Sequence, residues 1–127
     1  MKILAALSLC ALLGGCKQQD AAALVTITGA FRIPADADML SMDVYDGPLA
    51  ITHKDWCVTT SASCPEALPL QPGGLDQTIT LVEGGGDHPH VKINLALQKT
   101  GVLVGQGTNT ADFQSGTTVN VPIVMTR

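Results

Sequence analysis

From Val91 to Gln98 the residues Val91, Ile93, Leu95 and Leu97 alternate one for one with Lys92, Asn94, Ala96 and Gln98. A period of two sends successive side chains to opposite faces of an extended chain, so one face is made for burial and the other for water. The pattern returns at Val119, Val121, Ile123 and Met125, and at Leu40, Met42 and Val44 set against Ser41 and Asp43. Clusters of Gly, Pro and Asp separate such segments at intervals of about 8–12 residues, the spacing of sandwiches and barrels. The expected fold is all-β, a single antiparallel β-sandwich of about seven strands, without a helix of useful length.

Strands are expected over 24–28 with continuation to 33, and over 39–45, 49–53, 75–83, 91–98, 102–107 and 117–126, with a short run at 68–70. Residues 54–67 read as an irregular excursion, and Lys99-Thr100-Gly101 as a hairpin turn. Pro122 cannot donate a ladder hydrogen bond, which places the last strand at a sheet edge. Gly101, Gly105 and Gly107 lie on turn and strand, where glycine marks a bulge or a close backbone approach. No repeat of fixed period occurs, which excludes solenoids and propellers.

The first sixteen residues, MKILAALSLCALLGGC, follow a different rule. Lys2 supplies a positive start, and the apolar run that follows has signal-peptide length, too short to span a bilayer as a helix. It ends in Leu13-Gly14-Gly15-Cys16, small residues ahead of a cysteine whose thiol can accept a diacylglyceryl group. This closely resembles the lipobox of bacterial lipoproteins. The resemblance implies cleavage before Cys16, lipidation of Cys16 with acyl chains such as palmitate, and a membrane anchor of several chains, which is stable where one chain is marginal. The chain then divides into a signal peptide (1–15), a lipidated tether (16–23) and a sandwich domain (24–127). Lys17 stands where aspartate marks inner-membrane retention in many Gram-negative lipoproteins, which implies the outer membrane.

Removal of 15 residues from 127 leaves 112, enough for one domain and too few for two. Six Lys and Arg then face eleven Asp and Glu, a balance unsuited to nucleic acid, which needs clustered cations. Aromatic residues make up 3% of the chain, so stacking platforms for sugars or bases are scarce. Cys10 leaves with the signal and Cys16 is lipidated, so Cys57 and Cys64 remain in a compartment that permits disulfides, and a Cys57–Cys64 bridge is expected. Free thiols are the other state of the pair. Neither a CxxC redox motif nor four closely spaced zinc ligands is present.

The segment GGGDHPH holds His88 and His90 two apart, with Asp87 beside them and His53 as a third nitrogen donor elsewhere. It reads either as a metal-binding loop or as a polar loop tip with exposed histidines, and the second is the simpler. Gly84, Gly85 and Gly86 lack the Lys-Ser/Thr ending and following helix of a phosphate loop. Asp36 and Asp38 fit solvated turn residues better than a calcium loop, since the central Gly and terminal Glu of an EF-hand are missing. Trp56 beside Cys57 reads as a satellite core on the disulfide or as an exposed binding anchor. There is no GxSxG, and no serine stands at a known triad spacing from histidine and carboxylate.

The order SMDVYDGPL, LPLQPGGLDQTITLVEGGG, VKINLALQKTGVLVGQG and FQSGTTVNVPIVM resembles small lipoproteins of myxobacteria and related deltaproteobacteria, in which a lipobox precedes an immunoglobulin-like or transthyretin-like sandwich. True immunoglobulin domains join their sheets by a long-range disulfide, whereas Cys57 and Cys64 are close in sequence. The sequence therefore leads to an envelope lipoprotein that is not an enzyme and needs no cofactor or metal. Its partners are a membrane, through the anchor, and an envelope protein or ligand met through Trp56, His88 and His90. A structural accessory subunit and a metal-binding protein are the alternatives.

Overall fold

The computed structural model describes residues 3–4, 21–58, 70–83 and 88–127. In chain order the strands are β1 (Ile3–Leu4), β2 (Ala21–Ile33), β3 (Met39–Asp46), β4 (Leu49–Cys57), β5 (Gly73–Glu83), β6 (His90–Lys99), β7 (Val102–Asp112) and β8 (Thr118–Met125). They form two sheets, ordered β1-β5-β2-β8 and β4-β3-β6-β7. Seven strands carry the sandwich, and β1 adds two residues against Val82 and Glu83 on the outer side of β5. All neighbours are antiparallel except β2 and β8, which run parallel. This is an all-β sandwich, but not of immunoglobulin order, which sets the first strand beside the second; here β2 lies between β5 and β8.

Alternation builds the core as the sequence predicts. Val91, Ile93, Leu95 and Leu97 of β6 are buried, as are Val121, Ile123 and Met125 of β8, and Leu40, Met42 and Val44 of β3. They meet Ala23, Val25, Ile27, Phe31 and Ile33 of β2 and Leu75, Ile79 and Leu81 of β5 in one cluster between the sheets. Each fully buried Leu, Ile, Val or Met contributes roughly 1.5–3 kcal/mol relative to exposure.

Four boundaries differ from expectation. β2 begins at Ala21, so Ala21, Ala22 and Ala23 belong to the domain and not to the tether. Ala23 is fully buried, and small apolar residues carry no alternation strong enough to reveal this in sequence. β4 continues to Cys57, through residues 54–57 that the sequence pattern assigns to the irregular excursion. Trp56 pairs with Leu40 and enters the main core at 5% exposure, so it is neither a satellite cluster nor a surface anchor. β5 starts at Gly73, and β7 runs on to Asp112. Of the expected 68–70 run only Leu70 is described; it is buried outside any strand and donates its N–H to the Cys57 carbonyl.

The two sheets close on each other along β7 and β8, where Gln106 and Thr126 form an isolated bridge. Glycine permits this approach. A methyl group added at Gly105 would lie 2.4 Å from Cζ of Phe31, and one at Gly107 2.8 Å from Cγ2 of Ile123. β8 ends its sheet, as Pro122 predicts. In a strand the N–H and C=O of one residue leave on the same side, and the Pro122 carbonyl accepts from Asn109 of β7 at 2.8 Å. The missing N–H thus falls on the side away from β2, where no ladder needs it.

The strand directions divide the turns between two poles. The near pole holds Ala21, the turn between β3 and β4, His88 to His90, and the turn between β7 and β8. The far pole holds the 34–38 turn, Cys57, the β6–β7 hairpin and the end of β8. In that hairpin Thr100 and Gly101 have φ values of 48° and 82°, the pair of positive angles a two-residue type I′ turn requires.

Candidate functional site

The face of β4-β3-β6-β7 turned away from the core collects the polar members of the alternation. Register sets Asp55, Ser41, Ala96 and Gln106 in one row across it, and His53, Asp43, Asn94 and Thr108 in the next. The side chains bond along and between these rows. The Ser41 hydroxyl donates to Asp55 Oδ1 at 2.6 Å, which accounts for the burial of Ser41 on an outward face. His53 Nδ1 lies 2.6 Å from Asp43 Oδ1, and Nε2 lies 3.0 Å from Asp55 Oδ1.

With a carboxylate at each ring nitrogen, the doubly protonated imidazolium is favoured. The hydrogen bond to Asp43 raises the His53 pKa above the ordinary histidine value, partial burial opposes it, and Asp55 adds to the rise. This chain of groups is not a Ser-His-Asp triad, because the Ser41 proton is directed to Asp55 and not to the imidazole. Nor can it grip one metal ion, since Asp43 and Asp55 occupy opposite nitrogens of the ring.

Beside this network, toward β8, runs an open groove of about 620 Å³ lined by Asp43, Asn94, Ala96, Gln106, Thr108 and Val124, among others. The Thr108 hydroxyl lies 2.8 Å from Asn94 Oδ1 and 3.0 Å from the Ile93 carbonyl, and the Asn94 carboxamide lines the groove. Gln106 offers a second carboxamide, while Val124, 63% exposed, supplies an apolar wall. Such a lining hydrogen-bonds neutral polar groups: hydroxyls, amides or a peptide backbone. The groove escapes sequence reasoning because its residues come from four strands. Its one sequence signal is the row of uncharged polar residues, Gln106, Thr108 and Thr110, on the outward side of β7.

The residues singled out in the sequence do not converge. His88 Nδ1 lies 2.5 Å from Asp46 of β3, while His90 Nδ1 lies 2.6 Å from Asp112 of β7. β3 and β7 flank β6 on opposite sides, so the two histidines lean apart, and His53 belongs to the network above. Among the described residues no group of three His, Cys, Asp or Glu could hold a metal ion. His90 is largely exposed, His88 mostly covered, and the His88 N–H donates to Glu83 at 3.2 Å.

Asp36 accepts the Arg32 N–H at 2.7 Å, and Asp38 accepts the Thr100 N–H, so both serve as turn residues. Cys57 closes β4 and is not a free cysteine. Cys16, Cys64, Asp87 and the glycines at 84–86 lie outside the described residues. Among those described, no helix is long and apolar enough to cross a membrane. No family model, curated protein or solved structure matches the chain.

Proposed function

We propose that this chain is a lipid-anchored lipoprotein of the bacterial envelope whose sandwich acts as a non-enzymatic binding or assembly module. The observation that carries the reading is Leu13-Gly14-Gly15-Cys16 placed just ahead of Ala21, where the folded domain begins. A thiol at that place can be acylated and still hold the sandwich close to a bilayer, and Lys17 favours the outer membrane. The non-enzymatic part is supported by the Ser41 hydroxyl, which is bonded to Asp55 and not to the His53 ring. The groove beside Asn94 and Gln106 is the proposed contact surface. Cys64 is the proposed partner of Cys57, a short loop whose closure is worth roughly 2–3 kcal/mol in the chain-entropy model; a Cys57–Cys64 peptide in a non-reducing digest checks it.

A second reading, an accessory subunit docked by strand addition, is favoured by the antiparallel pairing of Ile3–Leu4 with Val82 and Glu83. Cleavage before Cys16 would uncover that edge of β5 for another extended segment.

The test is purification of the native protein from gently solubilised membranes beside a Cys16→Ala variant. Acyl mass on Cys16 and loss of membrane association in the variant support the anchor; a variant that stays with membranes, without acyl mass in the parent, refutes it. A stoichiometric partner lost in Gln106→Lys and Thr108→Lys assigns the groove, and one retained by both points to the β5 edge.

A further inference from the structure

The distance from the lipidated residue to the sandwich is short compared with the sandwich itself. Five peptide units join Cys16 to Ala21, a span of at most about 18 Å when fully extended. The 10 residues of β6 and 13 of β2 give the domain a long axis of about 30–40 Å. Ala21 lies at the near pole, so that pole alone can never leave the lipid surface by more than the tether.

We infer that the domain stands on the membrane on its near pole and presents the far pole outward. This rests on the lipidation of Cys16 proposed above. The near pole places the β3–β4 turn, His88 to His90 and the β7–β8 turn over the headgroups, where Asp46 and Asp112 are each paired with a histidine and Leu49, 56% exposed, is the apolar contact. The far pole carries Val102 and Leu103, 63% and 56% exposed, at the greatest height the fold allows.

The distribution of apolar surface disfavours a domain lying on its side. A helix or sheet held flat at a bilayer needs a contiguous apolar face. Among the described residues the exposed large apolar side chains are dispersed: Leu49 at one pole, Val102 and Leu103 at the other, and Val124 beside the groove. The outer face of β4-β3-β6-β7 carries the carboxylates of Asp43 and Asp55, with His53 between them and Lys92 on the same side. That face would bring the carboxylates of Asp43, Asp55 and Asp112 against anionic lipid, with Leu103 at its far end as the exposed large apolar residue. On the outer face of β5-β2-β8 the apolar Leu24, Pro122 and Val124 are interspersed with Thr26, Thr28, Thr78 and Asp76, so no continuous apolar surface forms there among the described residues.

The upright stance leaves the groove open. Asn94 lies midway along β6 and Thr126 at the far end of β8, so the groove faces the aqueous phase from the side of the domain. A soluble ligand or a partner beyond the membrane reaches it without displacing lipid.

The test places a fluorophore on Ser115→Cys at the near pole or Val102→Cys at the far pole of the lipidated full chain, in phosphatidylethanolamine–phosphatidylglycerol vesicles that carry a headgroup acceptor. The Ser115 site should lose most of its donor intensity, and the Val102 site should keep most of its own. Equal quenching at the two sites of vesicle-bound protein overturns the stance and leaves the anchor intact. Failure of the labelled protein to bind vesicles, in the same way as Cys16→Ala, overturns the anchor and the stance with it.

Discussion

Gly105 offers the sharpest test of how the sheets meet. An added Cβ there would stand 2.4 Å from Phe31 Cζ and 3.0 and 3.2 Å from its Cε atoms, whereas carbons rest about 3.5–4.0 Å apart. Phe31 must then retreat by about 1 Å. It is 3% exposed, with the Arg127 guanidinium 4.6 Å from its ring centre, so it has little room to do so. Overpacking of this kind costs about 1–3 kcal/mol, and replacing Gly by Ala in a strand returns about 0.5–1 kcal/mol. The middle of the two ranges gives a destabilisation of about 1 kcal/mol for Gly105→Ala, or roughly 4–8 °C in Tm for a domain this small. Urea and thermal unfolding of the wild type, Gly105→Ala, Phe31→Leu and the double variant decide the matter. The smaller side chain of Phe31→Leu should make room for the methyl group, so Gly105→Ala should cost less than half as much in that background. A cost under about 0.5 kcal/mol in the wild type, or the same cost in both backgrounds, would refute the steric account.

Two further predictions concern the His53 network. In an NMR titration His53 should show a midpoint above about 6.5, and Asp43→Asn should lower it more than Asp55→Asn. The folded value is raised, so the stability this histidine adds is complete below about pH 6.5 and is lost as pH climbs through the raised midpoint. At 54% side-chain exposure the effect on unfolding should be small, and a midpoint insensitive to Asp43→Asn would remove the proposed cause. Ser41→Ala should destabilise by about 1–2 kcal/mol, because the partly buried Asp55 carboxylate loses a donor. An unchanged urea midpoint would mean that water replaces the hydroxyl at no cost.

The sandwich is legible wherever apolar residues are large and alternate strictly. β6 and β8 follow the sequence pattern almost residue for residue, since Val91 to Leu97 and Val121 to Met125 can bury only one face. The signal fades where a strand has small or charged residues. Ala21 to Ala23 carry too little apolar surface to announce a buried strand, yet Ala23 is wholly enclosed. In β4, Lys54 and Asp55 suggest a loop, and only pairing with β3 shows that Trp56 points inward opposite Leu40. Gly105 and Gly107 in β7 mark close approaches, as their type implies, but nothing in the sequence names Phe31 and Ile123, the side chains they admit. The site is less legible than the fold. Asp43 meets His53 only through the β3–β4 register, and Asp46 lies 42 positions from His88, so strand order alone creates these pairs.

The parallel pairing of β2 with β8 also has a mechanical meaning. Residues Ala22 to Gly29 lie beside Thr118 to Met125 in eight consecutive register pairs that run in one direction. A pull on the start of β2 and the end of β8 acts along both strands and shears the whole ladder at once, whereas a pull across a hairpin opens its hydrogen bonds one after another. Stretched between Ala21 and Met125, the domain should resist more force than when stretched between Asp46 and Leu49, the adjoining ends of β3 and β4. With the lipid anchor proposed at Cys16, a tug at the end of β8 would load the domain along its stiffest direction.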